Sequence, residues 1–489
     1  MSTADSLLDP VSWAGSFFSD GWRVAAHTTP VVEPATGAEL ARIGVADAED
    51  VAHAAKSAAE AQRAWAAAPY HERAAVLRRA GDLFQQHAES VQHWLVREAG
   101  SIPPKAAVET DTAAQECFEA AALASAPAGE VLPTAFDRLS LTRRVPAGVV
   151  GVIAPFNFPL ILSIRSVAPA LALGNAVILK PDPRTAVSGG VALARIFEEA
   201  GLPDGLLHVL PGGAPTGEAL VTDPRVRVIS FTGSTAAGRR VGELAARHLK
   251  RAHLELGGNS ALIVLEDADL DAAVGLGAWG SYLHSGQICM TTGRHLVHES
   301  LVDAYVAKLA AKAEALPVGD PATEHVALGP IIDAGQRDKI HHLVRSTVDA
   351  GAQLAAGGTY RDLFYRPTVL AGVRPDMPAY REEVFGPVAP VLSFATTDEA
   401  VRLAADSEYG LSLGIATADA AAGLALAERI PTGIVHINDQ TVSDEAVAPF
   451  GGTGASGTGS RFGGAAANIE AFTETRWITL RARPATYPM

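Results

Sequence analysis

Three side chains in this sequence are of types that do covalent and proton-transfer chemistry, and each sits in a segment that by itself leaves its role open. Cys289 lies in SGQICM, behind a helical pattern and ahead of a Thr-Thr-Gly turn. A thiolate is a strong nucleophile, whereas a lone cysteine is more often a small buried hydrophobe. Glu255, in LELGGN, stands at the end of a strand-like run beside two glycines; such a carboxyl group either moves protons or belongs to a solvated turn. Asn157 lies between Phe156 and Phe158 in the proline-rich loop APFNFP, where a buried amide requires a hydrogen-bonding reason. FTGSTAAG, Phe231 to Gly238, follows the strand-like VRVIS and opens a helical stretch. Amide hydrogens at a helix N-terminus point toward an anion, and Gly233 with Ser234 lets a phosphate approach the backbone closely. An ordinary capped turn is the plainer alternative.

Other patterns match motifs without their context. GLGAWG (Gly275 to Gly280) and GTGASG (Gly452 to Gly457) fit the dinucleotide fingerprint, but one lies inside a helical pattern and the other in a long loop, and neither directly follows a strand. GLSLG (Gly410 to Gly414) fits the hydrolase nucleophile elbow. That motif needs a strand before the serine and a helix after it, the reverse of what surrounds Ser412.

The elements that must position these residues follow from hydrophobic periodicity. Val51 to Ala68 and His71 to Gly100 show helical spacing, after an irregular N-terminal stretch, and a third helix runs from Lys105 to about Ala126 with Cys117 as a small core residue. From Gly148 to about Lys250, apolar runs of strand length (VVGVIAP, AVILKP, LLHVLPG, VRVISFTG) alternate with amphipathic helices. This alternation predicts βαβ units and a parallel sheet, an architecture for binding nucleotides. HLELGG and SALIVLE read as two more strands, Asp269 to Met290 as a helix ending in a loop, and RWITLRARP as an edge strand. The uncharged run Val145–Ile164 holds Pro146, Pro155, Asn157 and Pro159; a strand, loop and helix start fit it better than a membrane span.

With 489 residues, 48% hydrophobic and 19% charged, the chain is long and apolar enough for more than one packed unit. A net charge of −15 gives no general attraction to nucleic acid or anionic lipid. Two cysteines cannot build a disulfide framework or a cysteine-rich zinc site. The N-terminus, MSTADSLLDP, lacks a basic stretch followed by an apolar core. The expectation is a cytoplasmic protein without metal.

Taken together, APFNFP, LGNAVILKP, FTGSTAAG, ELGGN, GQICM, EEVFGP and PFGG occur in the order and approximate spacing of the aldehyde dehydrogenase superfamily, which the chain resembles from about Pro34 to Thr479. PFNFPLIL, KPDPRT and HINDQTVSDE look most like the bacterial benzaldehyde and vanillin dehydrogenases. The resemblance implies that Cys289 attacks the aldehyde carbon to give a thiohemiacetal, with Asn157 and the Cys289 amide donating to the oxyanion. It implies that hydride passes to a nicotinamide and that Glu255 activates water to hydrolyse the thioester. It further implies that Lys180 binds the adenosine ribose, Gly233 and Ser234 the pyrophosphate, and Glu383 the nicotinamide ribose, with Phe385 near the nicotinamide. Phe158, Ile288, Met290 and Phe450 would form apolar walls for the substrate.

The sequence also departs from the family's pattern. Where many NAD-preferring relatives have a glutamate after this lysine, the chain has Pro183 followed by Arg184. The absent carboxylate removes repulsion against a 2′-phosphate, so NAD and NADP are both expected to serve. Phe156 replaces the usual tryptophan before the asparagine. Arg165 stands where aliphatic-aldehyde enzymes are often apolar; facing inward it would hold a ring hydroxyl or a carboxylate, and facing an acid it would be structural.

The expected α/β architecture is a doubly wound Rossmann-like cofactor domain (1–126 and 148–256), a second α/β catalytic domain (257–455) and a small β bridging element (127–147 and 456–489). That element is expected to pair subunits into a homodimer or homotetramer. The expected reaction is NAD(P)-dependent oxidation of an aromatic aldehyde, with an aliphatic aldehyde or semialdehyde as the rival substrate. A serine esterase using Ser412 and a binding protein without turnover are the alternatives from other classes.

Overall fold

The first parallel sheet forms where apolar β-branched runs alternate with amphipathic helices, as the sequence pattern requires. In a computed structural model, which describes residues 7–126 and 129–487, its strands run in the order Arg251–Glu255, Val226–Thr232, Val149–Ile153, Ala176–Lys180, Leu207–Val209, Ser16–Phe18 and Trp22–Val24. The first five are parallel, and the last two add an antiparallel edge. Pro127, the expected start of the bridging element, lies outside the described residues, as do residues 1–6 and 488–489. The chain steps outward from Val149–Ile153 to Leu207–Val209, then returns to lay Val226–Thr232 on the other side of its starting strand. Helices accordingly cover both faces, Pro159–Ala172 with Pro103–Leu123 on one and Ala214–Thr222 with Thr235–Arg247 on the other. The reversal leaves a crevice at the carboxyl ends of the central strands, the place where doubly wound sheets bind ligands.

A second sheet has the order Gln353–Ala356, Thr368–Ala371, Val388–Phe394, Thr292–His298, Ser260–Val264, Ser412–Ala416 and Ile434–Ile437, all parallel except the first. Ala261 and Ile263 pack into one core while Leu262 and Val264 pack into another. This is the alternation of a strand buried on both faces. Leu139–Pro146 and Thr473–Leu480 pair separately as an antiparallel ribbon. Phe462, Ala471 and Phe472, within the stretch expected to bridge, instead join the core of the first sheet.

Three local expectations change. The N-terminal stretch is ordered into the sheet edge and a hairpin, His27–Val32 with Glu39–Val45. His71 to Gly100 is two helices, Tyr70–Gln86 and Ala88–Ala99, broken at His87. The helix expected to run from Asp269 to Met290 stops at Tyr282; it starts on the Asp269 side chain, which accepts from Ala272 N. His284, Ser285 and Gly286 then take φ values of 48°, 54° and 66°, so the chain turns sharply before Cys289. The run Val145–Ile164 is a strand end, a strand, a loop and a helix start, and no helix among the described residues is long and apolar enough to cross a membrane.

Candidate active site

Each sequence-selected residue of the first sheet sits at a carboxyl-terminal strand end, where side chains leave the sheet for the crevice. Asn157 follows Ile153, Lys180 ends its strand, Gly233 and Ser234 follow Thr232, and Glu255 ends the edge strand. Cys289 arrives from the other direction, on the turn that leads into Thr292–His298. A cavity of about 140 Å³ lies between the two sheets, lined by Asn157, Gly233, Ser234, Gly257, Cys289, Glu383 and Phe385, among others. Two glycines make the approach possible. A Cβ at Gly257 would lie 2.4 Å from Glu383 Oε2, and one at Gly258 would lie 2.4 Å from the Cys289 carbonyl oxygen.

The Cys289 thiol is half-buried and packs beside Ile288, Met290, Leu411 and Phe450, with Phe158 at the edge of this cluster. Burial, then the carboxylates of Glu383, Glu255 and Asp444, push the thiol up to about 12, against a lowering pull from Arg165. The thiol is therefore the resting form at neutral pH. Glu255 is buried, and neither carboxylate oxygen has a hydrogen-bond partner of good geometry. Burial holds its carboxyl group well above the ordinary carboxylate range, opposed by Arg461, Arg165 and the Gly452 amide. A buried carboxyl so poorly satisfied by hydrogen bonds is a costly arrangement and marks a candidate functional group.

On the cofactor side, Ser234 caps the helix Thr235–Arg247, its Oγ accepting from Ala237 N at 3.3 Å. Among the described residues, buried Lys180 donates to the Pro181 carbonyl alone, at 3.2 Å. Glu383 Oε1 accepts from Gly258 N at 3.0 Å, and burial pushes its carboxyl group up to about 7. The Phe385 ring meets Phe156 edge-on at 6.0 Å. Pro183 and Arg184 form a short turn, but Arg184 is occupied. Its guanidinium makes a bidentate pair with Asp182 at 2.8 and 2.9 Å, reaches Asp333 Oδ2 at 2.6 Å, and covers the Phe156 ring at 4.2 Å.

Arg165 faces acids. It pairs with Asp444, brings Nε within 3.5 Å of Glu116 Oε1 as an ion pair and sits 4.8 Å over the Phe450 ring, while among the described residues neither Nε nor Nη1 makes a hydrogen bond of good geometry. Ser412 opens a strand, is buried, and donates its hydroxyl to the Thr441 carbonyl at 2.8 Å. A nucleophile elbow is absent there.

Sequence reasoning missed several residues of the site. Gln336 and Lys339 line the cavity from the helix Ala334–Asp349 and donate to the Phe385 and Glu383 carbonyls at 3.0 and 3.1 Å. Lys105 donates to the Asn157 carbonyl at 2.8 Å. Only Lys105 left a signal, a charge on the apolar face of its helix.

The family model for the aldehyde dehydrogenase family matches residues 22–478. The chain belongs to the aldehyde dehydrogenase family. This aldehyde dehydrogenase is 72% identical to a vanillin dehydrogenase of Amycolatopsis sp. over 484 residues, covering 99% of this chain and 100% of the relative. It is 52% identical to a benzaldehyde dehydrogenase [NAD(+)] of Pseudomonas putida over 478 residues, 97% of this chain and 98% of the relative. A crystal structure of a salicylaldehyde dehydrogenase from Pseudomonas putida G7, complexed with salicylaldehyde, superposes with a TM-score of 0.93 at 36% identity, covering 97% of this chain and 99% of that one.

Proposed function

We propose that this aldehyde dehydrogenase oxidises an aromatic aldehyde to the carboxylic acid, with Cys289 as nucleophile and NAD or NADP as oxidant. The observation that carries the reading is the placement of Cys289. Cys289 packs beside Ile288, Met290 and Phe450, with Phe158 at the edge of that cluster, and also lines the cavity that holds Asn157 and Glu383. A flat ring packed among such side chains gains apolar burial and ring contacts of about 0.5–1.5 kcal/mol. The names of the relatives, vanillin and benzaldehyde dehydrogenase, support the same class.

Cys289 loses its proton and adds to the aldehyde carbon, giving a thiohemiacetal whose oxyanion accepts from the Asn157 side chain and the Cys289 amide. Bound nicotinamide supplies a hydride acceptor. Lys180, Gly233, Ser234, Glu383 and Phe385 would hold the cofactor; the crevice, the helix N-terminus and the carboxyl of Glu383 fit it chemically. Loss of hydride leaves a thioester on Cys289. Glu255, ionised, takes a proton from water as the water attacks the thioester; the C–S bond breaks, the acid departs and Cys289 is restored as the thiol. One water is consumed, and two protons are released at neutral pH. Arg165, buried beneath Phe450 and paired with Asp444 and Glu116, takes the structural alternative rather than a substrate contact.

The domain division expected from the sequence fits a cofactor crevice shared between the two sheets. We further propose that the ribbon of Leu139–Pro146 and Thr473–Leu480 pairs with other copies into a dimer or tetramer, and that the protein works in the cytoplasm. Trp477 and Leu480 are 63% and 62% exposed on this ribbon, an unusual cost for a monomer.

The test is a substrate panel followed by reduced-cofactor absorbance. Benzaldehyde or a 4-hydroxybenzaldehyde is expected to exceed hexanal and succinic semialdehyde in kcat/KM by roughly tenfold or more, and Cys289→Ala to lose oxidation while still binding cofactor. An aliphatic best substrate overturns the aromatic class; a turning-over Cys289→Ala overturns the nucleophile.

A further inference from the structure

The Asn157–Phe158 segment is held from behind by two charged side chains that the reaction scheme does not use. Lys105 and Glu109, one turn apart on the helix Pro103–Leu123, are both buried. Lys105 Nζ donates to Glu109 Oε2 at 2.5 Å, to Ser101 Oγ at 3.0 Å and to the Asn157 carbonyl at 2.8 Å, which uses all three ammonium hydrogens. The same ammonium lies 4.2 Å from the centre of the Phe158 ring, which also meets His284 edge-on at 5.7 Å, on the turn leading to Cys289. The remaining Glu109 oxygen accepts the Leu160 amide at 2.8 Å. Leu160 is in the first turn of the helix Pro159–Ala172, which has no side-chain cap of its own. A carboxylate there satisfies an otherwise unpaired amide and complements the positive end of the helix.

Two charges buried for stability alone would be a poor choice, because apolar side chains of the same volume usually serve as well or better. Here both charges converge on residues 157–160. We propose that the Lys105–Glu109 pair positions the oxyanion donor, fixing the Asn157 backbone and the Phe158 ring so that the Asn157 carboxamide addresses the carbon bound to Cys289. The inference rests on the reading of Asn157 given above. Lys105 and Glu109 touch neither substrate nor cofactor; they act through Asn157.

The neutral pair Lys105→Met/Glu109→Gln keeps the volume and an oxygen for the Leu160 amide. It also avoids the unpaired buried carboxylate that Lys105→Met alone would leave. The burst rate of cofactor reduction, the cofactor Kd and the thermal midpoint are measured for this variant with and without Asn157→Ala. The neutral pair is expected to slow the burst roughly ten- to a hundredfold, as small misplacements of reacting groups do. Cofactor Kd is expected to stay within about threefold, and in the Asn157→Ala background the added loss to shrink below about threefold, because no donor remains to be positioned.

Equal losses in both backgrounds reveal a merely structural role and overturn the proposal, as does a neutral pair with the wild-type burst beside a slow Asn157→Ala. An Asn157→Ala enzyme with the wild-type burst overturns the oxyanion reading itself, and this inference with it. Glu109→Gln alone, which retains the ammonium on the Asn157 carbonyl, is the second variant should the double one not fold. A smaller loss than that of Asn157→Ala supports the role given to Lys105, and an equal loss overturns it.

Discussion

Glu255 and Cys289 share one physical circumstance, burial that opposes the charged form. Burial raises both, holding the Cys289 thiol protonated at neutral pH and disfavouring the Glu255 carboxylate relative to an ordinary one. On the proposed mechanism thioester hydrolysis needs the ionised carboxylate, and its rate is therefore expected to keep climbing with pH above the ordinary carboxylate value rather than level off there. Glu255→Gln removes that base. Stopped-flow mixing should give a burst of reduced cofactor followed by slow turnover, with the pH-dependent limb of hydrolysis flattened; an unchanged steady state would refute the base role. The same shift works against folding. Above the usual carboxylate pKa the unfolded chain releases this proton while the folded protein keeps it, so wild-type stability falls as pH rises. Glu255→Gln should accordingly gain more in melting temperature at about pH 8 than at about pH 5.

At the scale of elements, the mouth of the crevice is joined by one arginine. Arg184 belongs to the turn after Ala176–Lys180, whereas Asp333 starts the helix Ala334–Asp349, capping it through Gln336 N at 2.8 Å and holding Arg184 with its other oxygen at 2.6 Å. The sequence left Arg184 free to meet a 2′-phosphate; in the fold, Asp182 and Asp333 already neutralise it. Asp333→Asn keeps a capping oxygen but weakens the pair, which as a partly exposed contact is worth about 1 kcal/mol or less. The ratio of kcat/KM for NADP over NAD is expected to rise by up to about fivefold. No change in that ratio would mean that Arg184 does not govern the choice.

At the scale of the whole molecule, the exposed ribbon is the feature that a single chain leaves unexplained. Val131, Leu139, Trp477 and Leu480 are all exposed on or beside it, and sheet edges of this kind invite pairing with another copy. Light scattering is expected to give the mass of a dimer or tetramer, and Trp477→Asp to shift it toward the monomer. A monomeric wild-type protein would remove the ribbon as an interface.

The sequence by itself carried the alternation of strands and helices from Gly148 to Lys250, because buried parallel strands must be continuously apolar and their covering helices amphipathic. It also singled out Cys289, Glu255 and Asn157 as candidates, through the order of seven motifs rather than through any one segment. It did not carry the break at His87, the sharp turn at His284 and Ser285, or the N-terminal hairpin, where propensity yields to contacts with parts of the chain distant in sequence. Nor could it reveal how Arg165 and Arg184 are partnered. Arg165 meets Asp444 across 279 positions and Arg184 meets Asp333 across 149, and no local pattern specifies a pairing of that range. The tertiary structure alone decided which charges are spent on one another and which, like the carboxyl of Glu255, are left buried and unpaired.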